Sequence, residues 1–357
     1  MKTYAVYFRP RGALATWPLA SDTLFGAVCW GIRILGLMDH QALTDWLDKQ
    51  KQKPRFAFSH AFPCYLDGGR IRFYPRPATF QPSLSDSDAL AAELGNNKKA
   101  HMDAAKAGKQ FKKVTYVSER ALADILAGKL SAQGGLKAFA CPTQSNYLAK
   151  STMLCIKEEA ERLPERLYAT EAIQHNQIDR MAGATVEGML FYREETFFAP
   201  GAGLWALLKA EEEDVKQYIQ PALNYLADTG FGADRTVGKG HFQIWLEEFQ
   251  IPFEVSSPKA MMTLSHYLPL SDECDLKTKP LAYALKVLRP KREQKYPRPL
   301  AQGQQSAPIY KQAVPVFEPG SVFALQTEKE IYGQLVRLTD TNEEPVYQSG
   351  AAVMIIM

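Results

Sequence analysis

The sequence predicts an α+β fold made of two ferredoxin-like halves with insertions, and three observations carry that expectation. Tyr4, Val6 and Phe8 alternate as a strand, and a helical repeat follows at Leu24, Phe25, Val28, Ile32 and Leu35. A second helix (Glu213–Asp228) and strand (Phe242, Ile244, Leu246) end the first half, with a glycine-rich loop between this last helix and last strand. Beyond Pro252–Pro258 strand-like segments begin afresh, as in a reduced copy of the first half. The expected boundaries are 1–250 and 258–357.

Within the first half, Ser21-Asp22-Thr23 has the residue types of a helix N-cap, and Gly36 supplies a stop. Arg33, nearly alone among apolar neighbours, is expected to be buried on most sides. A short helix at Gln41–Lys49 follows, then extended segments at Arg55–Ala61 and Arg70–Phe80, interrupted by the Asp67-Gly68-Gly69 turn. From about residue 82 to 140 small and polar residues dominate, and six lysines (Lys98, Lys99, Lys106, Lys109, Lys112, Lys113) face only Asp103. Two readings stand there, a mobile basic insertion or a solvated helical face. Strands are expected at Glu187–Phe198 and Leu204–Lys209, and the Glu213–Asp228 helix should kink at Pro221.

The second half opens with Met262, Leu264 and Leu268 alternating with Thr263, Ser265 and Tyr267. Later strands are expected at Leu281–Leu288 (where a helix also fits), Ser321–Leu325, Ile331–Thr339 and Pro345–Ile356, with a long exposed loop at Arg289–Gln312. Val353–Met357 is expected to contribute to an exposed apolar face that a partner covers.

A chain of 357 residues suits two domains. Its formal charge is only +3, so any grip on nucleic acid must come from local basic patches. The start Met1-Lys2-Thr3-Tyr4 lacks a secretory pattern, and the longest apolar run, Leu24–Met38, is interrupted by Arg33 and is too short to span a bilayer. Five cysteines lie far apart with no C-x-x-C pair, which argues for reduced thiols, against zinc and for a cytoplasmic protein without membrane contact.

The most informative segment is Gly230–Gly240, where Gly230, Gly232, Gly238 and Gly240 surround Arg235 and Lys239. Glycine permits positive φ and close approach of a polyanion to backbone N–H groups, and the two cations add charge. A nucleotide P-loop needs G-x-x-x-x-G-K-[ST]; here five residues separate Gly232 from Gly238, and Gly240 follows Lys239. The loop also follows a helix rather than a strand, which removes the dinucleotide fingerprint too. A purely structural loop and an RNA-backbone site are the readings left.

The stretch Tyr225–Phe242 resembles the glycine-rich loop of RAMP proteins, and Asn176–Tyr192 resembles their segment around an inserted thumb. Trp17–Ala27 is similar to the first-helix motif of that superfamily. Thr263–Pro269 and Pro319–Phe323 narrow the resemblance to the fourth Csm subunit of the type III-A CRISPR effector. Five motifs in the right order span nearly the whole chain. The resemblance implies two RRM-like halves, a thumb region at about 170–190, and a non-catalytic antiviral-defence subunit. Such a subunit recognises the 5′ repeat-derived handle of the crRNA, caps the backbone filament and pushes its thumb between guide and target RNA. It docks the large polymerase/cyclase-like subunit and a backbone RAMP subunit.

On that basis Gly230, Gly232, Gly238 and Gly240 are expected to shape a nest for handle phosphates, fastened by Arg235 and Lys239. Arg180, with Asn176 and Thr185, would hold backbone or a splayed base near the thumb. The family pattern tends to have Asn where Asp179 precedes Arg180; a carboxylate cannot donate to phosphate, so Asp179 is assigned no RNA contact. Ser21 and Thr23 stand at a helix N-terminus that favours an anion, with ordinary capping as the rival reading. Tyr267 could stack on a base, with a buried or rim aromatic as the rival.

No enzyme signature stands out, and no metal or cofactor is implied. Asp39-His40 reverses the H-D order of metal phosphohydrolases, Gly68-Gly69 is followed by Arg70 rather than an acidic pair, and no G-x-S-x-G elbow occurs. His40, His60, His101, His175, His241 and His266 show no ligand spacing. The rival activity is a metal-independent RAMP endoribonuclease that processes precursor crRNA with a histidine base. In that group the glycine-rich loop lies close to the C-terminus, whereas here more than a hundred residues follow Gly240. A target-cleaving backbone RAMP would need a catalytic aspartate, and nothing singles out Asp39, Asp45 or Asp48. The glycine-rich loop and the Arg289–Lys311 cations weigh against a scaffold that touches only protein.

Overall fold

The nine-residue strand β1 (Lys2–Pro10) is the axis around which the first half is built. In the computed structural model, which describes every residue except 16, 52, 254, 256, 277–279, 291–309 and 342–343, the chain order is as follows. Strand β1 leads into helices α1 (Ser21–Ile34) and α2 (His40–Asp48), then strands β2 (Phe56–Phe58), β3 (Phe62–Tyr65) and β4 (Ile71–Pro75). Helices α3 (Leu84–Glu93) and α4 (Lys98–Phe111), strand β5 (Tyr116–Ser118), and helices α5 (Glu119–Leu126) and α6 (Ala132–Ala140) come next. Strands β6 (Tyr147–Lys150) and β7 (Met153–Ile156) and helix α7 (Lys157–Arg162) precede a long hairpin, β8 (Tyr168–Asp179) and β9 (Ala184–Phe198). Strand β10 (Ala202–Ala210), helices α8 (Glu212–Asp214) and α9 (Gln220–Thr229), and strand β11 (Phe242–Glu248) complete the half.

The large sheet runs β11-β1-β10-β3-β4-β5-β7-β6, with β2 also paired to β10. It is mixed: β5 and β7 pair in parallel, whereas β1 pairs antiparallel with both β10 and β11. Side chains alternate across such a sheet, so each face has its own core. Val6, Phe8, Leu204, Ala206 and Leu208 face α1 and α9. Ala5, Tyr7, Trp205 and Leu207 face the inserted helices, through Leu90, Ala104, Phe111 and Leu136, and also the second half, through Met262, Leu264, Val353 and Ile355.

Helices α1 and α9 approach closely: a Cβ on Gly31 would lie 2.9 Å from that of Ala222. That contact turns the next polar position outward, so Arg33 is exposed, contrary to expectation. The expected kink at Pro221 takes a specific form. The helix runs from α8 through a π-turn (Val215–Ile219), and Gln220 N–H donates to the Val215 carbonyl. Pro221, which has no N–H to give, then enters at the first turn of α9, where the wider turn leaves room for its ring.

The lysine-rich region is not a mobile insertion but a helical layer. Ala100, Ala104, Ala107 and Phe111 of α4 are buried at i, i+4, i+7 and i+11, against α3 and α6, which leaves the lysines on the solvated side. The expectation of a long exposed loop at Arg289–Gln312 falls largely outside the described residues.

The second half contributes β12 (Ala260–Thr263), β13 (Pro280–Ala282), β14 (Leu285–Leu288), β15 (Val314–Phe317), β16 (Val322–Ala324), β17 (Leu335–Thr341), β18 (Glu344–Ser349) and β19 (Met354–Ile356). Four of these form a sheet ordered β13-β16-β12-β19, and β14-β15 and β17-β18 are separate hairpins. Its described residues form no helix, so the β-α-β order of a reduced ferredoxin-like copy is absent from them. The physical reason is that the first half's sheet covers this apolar face in place of helices of its own. The same packing corrects the reading of the C-terminus: Val353, Met354 and Ile355 are buried. Among the described residues no helix is long and apolar enough to cross a membrane.

Candidate nucleic-acid interface

The glycine-rich loop is pinched at its neck. Gly230 ends α9 at φ +69° and donates its N–H to Leu226 O at 2.9 Å. Phe231 then turns inward, packing on Phe8 and Phe242, while its N–H donates to Gly240 O at 3.2 Å. Gly240 has φ +66°, and a Cβ there would collide with the Phe231 carbonyl oxygen. No other residue fits that position. Between the two, Asp234 takes the left-handed conformation and starts a single 3-10 turn (Arg235–Val237), which Gly238 closes at φ +89°.

Hydrogen bonds then tie the loop to its surroundings. Val237 N–H and Lys239 N–H both donate to Asp234 O, and Gly238 N–H donates to Arg235 O. Gly240 N–H donates to Ala13 O at 3.0 Å, and Arg11 N–H to His241 O at 2.8 Å. Three of the four glycine N–H groups, those of Gly230, Gly238 and Gly240, are thus used inside the protein. The expected phosphate nest is corrected accordingly: these glycines shape the turn, and Arg235 is the loop's exposed cation, beside exposed Gly232, Thr236 and Val237.

Beside the loop stands the β8–β9 hairpin, which among the described residues forms a two-stranded sheet. Its root is fixed by the Leu14–Thr196 pair of backbone hydrogen bonds, 2.9 Å each way, and by Trp17 packed on Tyr168 and Phe198. Two ion pairs lock loop to hairpin. Asp234 pairs with Arg193, and Lys239 pairs with Glu195, whose side chain is 3% exposed. His175 reaches the other oxygen of Glu195 at 3.1 Å. At the tip, Asp179 Oδ1 accepts from Met181 N–H at 2.8 Å and Gly183 N–H donates to Asp179 O, forming a tight turn that carries Arg180 outward. Asn176 Nδ2 donates to Thr185 Oγ1 at 3.2 Å across a register shift between Asn176 and Ile178. Both faces of this ribbon carry exposed apolar side chains, among them Met181 at 96% and Tyr192 at 63%. A two-stranded ribbon of that kind is marginal by itself and calls for a partner.

No protein-family model matches the chain. The Csm4 protein of the CRISPR system of Thermococcus onnurineus (strain NA1) is 26% identical over 269 residues, 75% of each chain. Among solved structures, Csm4 in a Csm3–Csm4 subcomplex of the type III-A interference complex superposes with a TM-score of 0.61 at 14% identity, covering 99% of this chain and 98% of that one. A Csm1–Csm4 cassette solved with cA4 gives 0.56 at 19% identity, covering 99% and 97%. The sequence match covers three quarters of the chain and the matched fold nearly all of it. The chain is similar in sequence to that Csm4 protein and shares the fold of the solved Csm4 chains.

The residues singled out from sequence divide into two groups. Gly230, Gly232, Arg235, Gly238, Lys239 and Gly240 lie at the hairpin root, and Asn176, Arg180 and Thr185 lie toward its tip. Seven residues separate Arg180 from Ile173, which pairs with Arg193 beside the loop. At ~3.3 Å per residue that is about 23 Å of ribbon, so the groups line one edge rather than one pocket. Lys239 is not a free cation, because its ammonium is spent on Glu195.

Ser21 and Tyr267 do not join them. Ser21 is buried: its Oγ accepts from His266 N–H at 3.0 Å and its own N–H donates to His60 Nδ1 at 3.2 Å. The first turn of α1, including the half-buried Thr23, is docked toward the second half, which corrects the anion-site expectation. Tyr267 is wholly buried, its hydroxyl donating to Glu273 Oε2 at 3.0 Å, so no ring face is left for a base. Burial and the Glu273 carboxylate beside it raise its phenol well above the ordinary range. Sequence reading missed Glu195 and Arg193, the residues that fix the loop to the hairpin. Acids at Glu194 and Glu195 within an aromatic strand were the available signal. Among the described residues no three His, Cys, Asp or Glu side chains gather as a metal site.

Proposed function

We propose that the chain is a non-catalytic crRNA-binding subunit of a type III-A interference complex, serving antiviral defence in the cytoplasm. In this reading it grips the 5′ repeat-derived handle and caps the backbone filament. The partners are the large polymerase/cyclase-like subunit and a backbone RAMP subunit, and the thumb hairpin reaches target RNA. The two-part boundary at 1–250 and 258–357, and the ferredoxin-like description of the first half, belong to the same reading. The β11-β1-β10-β3 order with α1 and α9 on one face supports the latter.

The observation that carries the proposal is the rigid corner between loop and hairpin. The Lys239–Glu195 and Arg193–Asp234 pairs hold Arg235 at the base of an edge that has Arg180 near its tip. A guanidinium fork suits phosphate and base edges alike. A strand laid along about 23 Å of ribbon would meet both arginines. Exposed Asn176 and Thr185 add polar groups between them.

The test measures binding of a handle-sequence RNA to wild type, Arg235→Ala and Arg180→Ala across a salt series. Each variant should weaken binding and lower the salt slope by about 0.7 per lost phosphate contact. Unchanged affinity and slope in both would overturn the site. Incubation with precursor crRNA separates binder from nuclease: cleavage that disappears on mutating one histidine would replace this reading with the endoribonuclease one.

A further inference from the structure

The six lysines between Lys98 and Lys113 are not absorbed by the loop-and-hairpin site. With Asp103 as the one acid, this stretch carries +5 (six Lys minus one Asp), whereas the whole chain carries +3, so everything else sums to −2. The excess positive charge of the protein is therefore concentrated on one helix and its C-terminal cap.

The structure fixes how that charge is displayed. Ala100, Ala104, Ala107 and Phe111 hold the inner face of α4 in the core. At 100° per residue, Lys98, Lys99, Lys106 and Lys109 fall within an arc of about 100° on the opposite side, and Lys112 and Lys113 continue it past the helix end. All six are exposed. Lys106 reaches Asp103 at 3.9 Å, and the other five make no ion pair among the described residues. Elsewhere lysines are commonly matched, as at Lys2, Lys137, Lys209, Lys216 and Lys329. Like charges crowded on one face destabilise a helix, so the arrangement has a cost that folding does not explain.

We propose that the outer face of α4 is a second, sequence-independent binding surface for an RNA backbone. The helix is about 21 Å long, and a duplex-like strand advances ~3.4 Å per nucleotide, so about six phosphates fit along it. An acidic protein is the less suitable occupant. Protein interfaces have apolar cores depleted in lysine, and Met102 is the one large apolar side chain exposed on this face. The surface is distinct from the loop-and-hairpin site, because α4 packs on the sheet face opposite α1 and α9. The inference stands whether or not the loop at Gly230–Gly240 holds the handle.

The experiment compares wild type with a variant carrying Lys99→Gln, Lys106→Gln, Lys109→Gln and Lys113→Gln, and with the same four positions changed to Arg. The probes are a 30-nucleotide uridine RNA and a short handle-sequence RNA, each titrated across a salt series. The glutamine variant should bind the uridine RNA about 10-fold or more weakly, with a slope lower by about 2 to 3. The arginine variant should bind it like wild type, and handle binding should be unchanged in both. Arg235→Ala should show the converse pattern. Unchanged uridine-RNA binding in the glutamine variant would overturn the proposal, as would equal loss on both probes. Loss of a co-purifying protein subunit without loss of RNA binding would overturn it too, and would make the face a protein-docking surface.

Discussion

His266 Nδ1 lies 2.9 Å from Asp22 Oδ1, and this buried pair joins the second half of the chain to the first turn of α1. Gln348 Nε2 donates to the other carboxylate oxygen at 2.9 Å. The ring of His60 meets that of His266 edge-on with centroids 4.4 Å apart, while its Nδ1 accepts the Ser21 N–H. A first-half helix, a first-half loop and two second-half segments thus close on one polar knot inside an apolar seam.

His60 gives that seam a pH dependence. Burial above all, then the neighbouring His266, and also Lys286 against the opposing pull of Asp22, hold its imidazole well below the ordinary histidine range. The unfolded chain takes up a proton near pH ~6.5 and the folded chain does not, so stability falls as pH drops below that value. The slope approaches about 1.4 kcal/mol per pH unit for one proton. Thermal melts from pH 8 to pH 5 should show this decline in wild type, and His60→Gln, which keeps an acceptor for Ser21, should flatten it. Parallel curves for the two proteins would refute the account.

Asp22 acts in a lower window. Burial raises its pKa, but the His266 hydrogen bond and charge outweigh that and hold the group at about 2. A depressed carboxylate contributes stability above its unfolded pKa of ~3.9 and loses it as pH falls toward the folded value. Asp22→Asn should therefore cost about 2 kcal/mol at pH 7, with the difference closing between pH ~4 and pH ~2. Denaturant melts at pH 7, 4 and 2.5 read it directly. A constant difference across that series would assign the loss to packing.

The Lys239–Glu195 pair predicts an asymmetry between single and double variants. Removing the ammonium in Lys239→Met leaves a carboxylate with 3% exposure whose remaining partner among the described residues is His175. An orphaned buried charge of this kind costs about 3 kcal/mol, whereas neutralising both partners costs less. Lys239→Met combined with Glu195→Gln should therefore melt above Lys239→Met alone. The order reversed would mean that Glu195 is solvated in the absence of its partner.

Much of this architecture was legible in the sequence where one face of an element is dry and the other is wet. Val215, Ile219, Leu223 and Leu226 repeat because the π-turn and α9 keep one buried side, whereas β1, buried on both faces between two cores, reads as an unbroken apolar run from Tyr4 to Phe8. Where both sides are alike the pattern vanishes. The first hairpin strand, Tyr168–Asp179, is exposed on both faces and shows no period to read. The opposite holds at His266 and Tyr267, which point to different faces of an extended segment yet are both buried, because it is covered on two sides. The glycine-rich loop was visible from its composition, but the destination of its N–H groups was not. Ala13, which accepts one of them, lies more than two hundred residues away in sequence.

Two glycines with nearly the same backbone angle separate conformational strain from collision. Gly183 at the hairpin tip has φ +63° and open space around the position of a Cβ; Gly240 has φ +66° and the Phe231 carbonyl in that position. Alanine at Gly183 meets only the left-handed penalty, about 1 kcal/mol. Alanine at Gly240 adds a backbone clash at the loop neck, where Phe231 N–H donates to Gly240 O and Gly240 N–H donates to Ala13 O. It should cost about 3 kcal/mol or more, since relief requires breaking those bonds. Denaturant melts of Gly183→Ala and Gly240→Ala give the comparison. If the two lose equal stability, the neck of the loop yields to a methyl group, and Arg235 is then held by its neighbouring ion pairs rather than by the pinch of the chain.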